Sequence, residues 1–193
     1  MEFSSFLRLL RPFEITLLMD VRSKPQSIRF PHFDHIELES ALPGESIRYV
    51  LMGEELGGRP DDPKAYREDG MVDYKARRKA RSFQAGIERI IKELEHHSVA
   101  LMCAEEDPLS CHRFLMICPE LTALGIDPQH IRKGGIIDTQ RECEDRLLET
   151  HQLSAMAGNT LFPFDRAAAL EDAYAAQSEK VAFRIDPRVL EPW

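Results

Sequence analysis

Two short apolar runs, residues 15–19 and 99–102, constrain this chain more than any other feature. Neither alternates polar with apolar side chains, and each is too short for a core helix. That pattern predicts strands buried on both faces, which is how parallel strands are covered. A third strand is expected over residues 47–52. Helical spacing separates these strands. Phe6, Leu9 and Leu10 predict a first amphipathic helix ended by Pro12, and Asp34 is a cap for a helix running to about Leu42. Asp73 is expected to cap one long helix to His96 or His97, with Phe83, Ile87, Ile90, Ile91 and Leu94 facing inward.

Downstream, a helix over residues 111–124 with Ser110 as its cap, a short strand at His130-Ile131 and a helix over 138–150 are expected. Strands alternating with helices predict an α/β fold, a three-layer α/β/α sandwich on a mostly parallel sheet. Residues 1–150 form the expected α/β domain. After residue 150 the pattern weakens to one helix over about 166–179, which predicts a C-terminal helical extension over 151–193.

The 193 residues suit one substantial domain plus an appendage, with no room for two ordinary ones. A net charge of -8 argues against wholesale binding of nucleic acid or acidic membranes, though a local basic patch remains compatible with it. No apolar stretch approaches the roughly 20 residues that span a bilayer, and the N-terminus carries no secretory pattern. A cytoplasmic location with reduced thiols is expected, and no membrane partner. Cys118 and Cys143 are read apart from any site, Cys118 as core.

Chemistry concentrates in residues 103–113, Cys-Ala-Glu-Glu-Asp-Pro-Leu-Ser-Cys-His-Arg, between the strand that ends at Cys103 and the next helix. Such loops leave the carboxyl edge of an open sheet, where α/β folds bind ligands. Cys103 and Glu105 are candidate nucleophile and acid–base residues, and His112 is a further acid–base candidate. A helix N-terminus and a neighbouring arginine favour thiolate at Cys111. The competing view makes both cysteines small buried hydrophobes. Asp20 and Arg22 end the first strand, where pairing is the more expected role for Asp20. Arg22, Arg29, Arg59 and Arg113 form a guanidinium excess suited to an anion.

A metal site is not expected. Zinc needs four ligands, Cys111 and His112 as helix neighbours would point about 100° apart, and no second Cys or His pair appears. Nothing in the sequence specifies a cofactor or an oligomeric state. The basic run at residues 75–81 is read as a solvated helix face, with nucleic-acid contact as its alternative.

The chain resembles the domain-of-unknown-function 488 family. The resemblance rests on Asp20-Val21-Arg22-Ser23 with Pro25, Ser27, Arg29, Pro31 and Phe33, then Leu56-Gly57-Gly58-Arg59. It continues through Phe83, Gly86-Ile87, Leu101 to Glu105, Pro108, Cys111-His112-Arg113 and His130-Ile131. It covers about residues 5–150, and residues 161–184 are similar to an extension of longer members. Members open with a strand ending in a Thr-Ile-Gly-His-Ser-like turn. This chain starts at the following helix, so against the family pattern either its start is truncated or the first strand is lost, and any role of that turn is missing here. It implies a fold and a site without an assigned activity.

The leading expectation is an enzyme acting on a small phosphate- or nucleotide-like anion, with catalytic Cys103, Glu105 and His112 and with Asp20, Arg22, Arg59, Cys111 and Arg113 binding substrate. The alternatives are a non-catalytic nucleic-acid or nucleotide binding module, and a thiol redox or metal-sensing protein.

Overall fold

In a computed structural model, described over residues 1–154 and 163–189, three parallel strands form the central sheet. They are β1 (Leu17–Asp20), β2 (Arg48–Leu51) and β3 (Val99–Met102), in the order β2-β1-β3. Leu17 pairs with Arg48 on one side and Val99 on the other, and Asp20 pairs with Leu51 and Met102. Only the central β1 is buried throughout; the edge strands β2 and β3 are partly exposed.

Side-chain alternation along the strands builds two cores. Leu17, Met19, Val50, Val99 and Leu101 pack into one cluster, while Leu18, Tyr49, Ala100 and Met102 pack into the other. The smaller cluster is closed by α1 (Phe3–Leu10) and α2 (His35–Ala41), through Leu7, Leu10 and Leu38. Asp34 caps α2 as expected, accepting from the Ile36 N–H. The larger cluster takes Leu56 from α3 (Gly53–Leu56), Phe83, Ile87 and Ile90 from α5 (Arg81–Leu94), and the residues after the Cys103 loop. Helices therefore cover both faces of the sheet. Full burial of each such apolar side chain contributes roughly 1.5–3 kcal/mol.

The single helix expected from Asp73 is two. Asp73 caps α4 (Tyr74–Arg78), accepting from the Ala76 N–H, and the chain turns out of helix at Ala80, φ −67° and ψ 138°, before α5. The cause is Arg77, which turns inward and is almost wholly buried. Its guanidinium donates to the carbonyls of Glu54 and Glu55, at the end of α3, and to Ser82 Oγ. Free carbonyls at a helix end need such donors. Leu94, expected inside, is 40% exposed.

The helix expected from residue 111 also starts differently. Asp107 caps a tight turn, Pro108–Ser110, by accepting from the Leu109 N–H, so Ser110 caps nothing. Cys111 is extended, at φ −123° and ψ 134°. The helix then opens with a widened turn over Arg113–Ile117, in which the Cys118 N–H reaches back to the Arg113 carbonyl, before α6 (Cys118–Ala123). Pro119 has no N–H to offer the carbonyl four residues earlier, which favours the wider turn. Phe114 to Ile117 are all buried.

The strand expected at His130-Ile131 is β4 (Gln129–Ile131), and it does not join the sheet. It pairs antiparallel with β5 (Ile137–Thr139) around Gly134 and Gly135, both at positive φ. Thr139 and Glu142 then form a reciprocal cap that starts α7 (Gln140–Thr150) after Asp138. Beyond it, α8 (Arg166–Val181) packs on α7 and buries Ala173. Among the described residues, no helix is long and apolar enough to cross a membrane.

Candidate functional site

Parallel strands bring the loops after β1, β2 and β3 to one sheet edge. β1 leads out to α2 on one face, whereas β3 leads to α6 on the other. The loops of these adjacent strands therefore part above the β1–β3 seam, where open α/β sheets hold ligands. The ladder runs one residue beyond β1, with the Val21 N–H on the Met102 carbonyl. That fixes the Val21 carbonyl at the seam, where it faces Nε2 of His112 at 3.1 Å. A carbonyl only accepts, so Nε2 carries a proton and Nδ1 faces the other way.

Nδ1 of His112 lies 3.5 Å from Sγ of Cys103. Cys103 also donates to Oε2 of Glu105 at 2.8 Å. The single donor atoms of Cys103, Glu105, Cys111 and His112 all lie within 4.8 Å of one another. The 100° divergence expected for Cys111 and His112 does not arise, because extended Cys111 precedes the helix that His112 enters. Cys111 is sealed from solvent and His112 is buried, while Cys103 is half-buried and Glu105 exposed. The cluster is therefore approached from the Cys103–Glu105 side.

Arg113 organises both ends of this loop. Its Nε donates to Cys111 Sγ at 3.2 Å, and its terminal nitrogens donate to the carbonyls of Leu101 and Glu105, each at 2.9 Å. The adjoining Cys103 thiol, Arg113 and His112 hold Cys111 well below the ordinary thiol range, against its burial. The Cys111 contact and burial push Cys103 up. Cys111 is thus the more acidic thiol of the pair and Cys103 the less acidic. Burial raises Cys118 and Cys143 to about 12, so neither competes with Cys111.

The remaining residues expected at the site are distributed around it. Asp20 is completely buried and accepts from the Arg22 backbone N–H, the Arg22 guanidinium and the Tyr49 hydroxyl, the last at 2.6 Å. Arg22 is thereby committed to Asp20, and Arg113 to carbonyls and a sulfur. Arg29 is exposed against the Phe30 ring. Arg59 is exposed, lies over Phe183 at 4.5 Å, and has no carboxylate partner among the described residues. The four-arginine excess thus reduces, near the cluster, to Arg59.

Three further contributors complete the cluster. Gly58 packs on the His112 ring so closely that an added Cβ would sit 2.9 Å from its Cγ. The Val21 carbonyl orients His112. Tyr74 is buried close to Cys111, Glu105 and Cys103, and burial with their negative charge pushes its hydroxyl above the usual tyrosine range. The Leu-Gly-Gly-Arg segment was a signal for the first; the other two have none, since they depend on pairing across the fold. Glu106 turns away to Arg132 and the Lys133 N–H, which hold its carboxyl below the usual range.

A family model described as "Domain of unknown function DUF488" matches residues 2–117, more than half of the chain, from α1 to the end of the widened turn. All of the cluster lies inside that span. No curated protein and no solved structure matches the chain.

Proposed function

The chain belongs to the DUF488 family, and from that premise we propose that the Cys103–Cys111 pair is the reactive centre of an enzyme acting on an anionic, phosphate- or nucleotide-like substrate. One observation carries this reading: two sulfurs, an oriented imidazole and a carboxylate converge at the β1–β3 seam with an arginine on the inner sulfur. Cys103 is the attacking atom because it is the sulfur that solvent can approach. Its proton passes to His112 Nδ1 as the sulfur bonds to the electrophilic centre, and the imidazolium returns it to the leaving group. Glu105 aligns the thiol, and Arg59 takes the negative charge of the substrate. Asp20 and Arg22 keep the β1 loop in register and touch no substrate.

The test is alkylation of Cys103 with and without inorganic phosphate and nucleotides, in wild type and Arg59→Ala. Protection that disappears in Arg59→Ala supports the reading. Alkylation that no anion slows, in either protein, removes the anionic substrate.

The facing sulfurs also favour a second reading, a reversible Cys103–Cys111 disulfide used in redox sensing. Loss of two titratable thiols under mild oxidant, restored by a reductant, is its expected signature. The nucleic-acid alternative has less support, because Arg77 is buried and Arg78 lies 3.5 Å from Glu120.

A further inference from the structure

We propose that Cys103, Glu105, Cys111 and His112 also form a binding site for a zinc-class divalent cation, whose occupancy withdraws both sulfurs from chemistry. The geometry carries it. Ligands on a tetrahedral zinc, at about 2.0–2.3 Å from the metal, stand roughly 3.3–3.8 Å apart. The four donor atoms here already lie within 4.8 Å of one another, with Cys103 Sγ 3.5 Å from His112 Nδ1. Two sulfurs, an imidazole and one carboxylate are a borderline-soft set, which selects zinc over magnesium or calcium.

The surroundings fit the same ion. Metal-bound histidines donate their second ring N–H to a carbonyl or carboxylate, which fixes the tautomer and the ring. His112 donates Nε2–H to the Val21 carbonyl, and Gly58 leaves no space for the ring to turn away. Two thiolates and a carboxylate around a divalent ion leave one negative charge. Arg113 supplies the compensating positive charge through its Nε on Cys111. Cys111 and His112 form the buried floor, and exposed Glu105 is the ligand that closes over an ion entering from solvent.

Metal binding stands independently of the enzyme reading; the masking of a nucleophile rests on it. The experiment uses the full chain, reduced and stripped with a chelator, and titrates it with Co²⁺ and then Zn²⁺. The expected result is one Co²⁺ per chain with tetrahedral d–d bands and a thiolate-to-cobalt charge-transfer band, both erased by stoichiometric Zn²⁺. Cys103→Ser, which leaves Cys111 as the one sulfur ligand, should remove about half of the charge-transfer intensity. Glu105→Gln, at an exposed side chain that leaves folding untouched, should weaken binding about tenfold or more. Octahedral cobalt without charge transfer, or affinity unchanged in Glu105→Gln, overturns the site. In parallel, Zn²⁺ should block alkylation of Cys103 and the chelator restore it. Bound cobalt with alkylation unchanged overturns the masking. A low-titrating thiol without charge transfer overturns the metal site and leaves the enzyme reading standing. Charge transfer in a protein whose stripped thiols titrate normally supports the site and removes the thiolate enzyme.

Discussion

Arg113 donates through Nε to Sγ of Cys111 at 3.2 Å while its other nitrogens hold the carbonyls on either side of Cys103. One side chain thus sets both the charge of the inner sulfur and the path of the loop that presents the outer one. A planar fork with several donors can do this; a single ammonium cannot.

Arg113→Lys should therefore separate charge from geometry. The positive charge is retained, but at least one carbonyl loses its donor, at a cost of about 1.5–3 kcal/mol. Urea unfolding should show that loss, and the Cys111 thiolate should form at higher pH than in wild type. Unchanged stability and unchanged ionisation would mean that the fork is dispensable.

The pH dependence has a definite sign. The largest influence lowering Cys111 is the adjoining Cys103 thiol. Cys103→Ala removes it, so the pH at which Cys111 ionises should rise towards the ordinary value of about 8.5. Cys118, raised by burial to about 12, stays protonated throughout and serves as an internal reference. Ultraviolet thiolate absorbance against pH reads both without requiring access to the buried sulfur.

Asp20 carries a structural prediction. The carboxylate is completely buried and engages the backbone N–H and guanidinium of Arg22 and the Tyr49 hydroxyl. Asp20→Ala strands the Arg22 charge and should cost about 3–5 kcal/mol. The measurement is the urea midpoint at constant slope. A loss below about 1 kcal/mol would show that the pair adds little.

Arg77 makes a similar case at the α3–α4 junction. Removing its guanidinium leaves the Glu54 and Glu55 carbonyls without that donor. Arg77→Met should lower stability by about 3 kcal/mol and leave thiolate absorbance unchanged. A shift in that absorbance would tie the basic segment to the site.

Gly58→Ala should act on the site rather than the fold. Its Cβ would meet the His112 ring at 2.9 Å, so the imidazole must move from the Val21 carbonyl. Overpacking of this kind costs about 1–3 kcal/mol. The His112 ring resonances in NMR should shift, and Cys103 alkylation should slow. Native resonances and rate would show that the ring has room.

What could be read from the chain beforehand was local. Unalternating apolar runs identified β1 and β3, and Asp34 and Asp73 signalled helix starts by capping the N–H groups two or three residues on. What could not be read depended on distant partners. Arg77 looks like any member of a basic run until the α3 carbonyls are in place. Residues 133–135 and the Thr139–Glu142 box carry the signals of the β4–β5 hairpin and of α7, which starts at Gln140, two residues beyond the expected Asp138. The site was legible as a segment but not as a constellation. Its convergence turns on the extended backbone of Cys111 and on a carbonyl from β1, neither of which residue spacing contains.

Cys111, beside Arg113 and Cys103, is the thiol of this chain held furthest below the ordinary range. The most direct measurement is thiolate absorbance against pH for the chelator-treated, reduced full chain, in wild type and Cys111→Ser. The account predicts a single thiolate forming well below about 8.5 in wild type and none in that range for Cys111→Ser. A wild-type chain whose thiols all ionise at or above the ordinary value would contradict it.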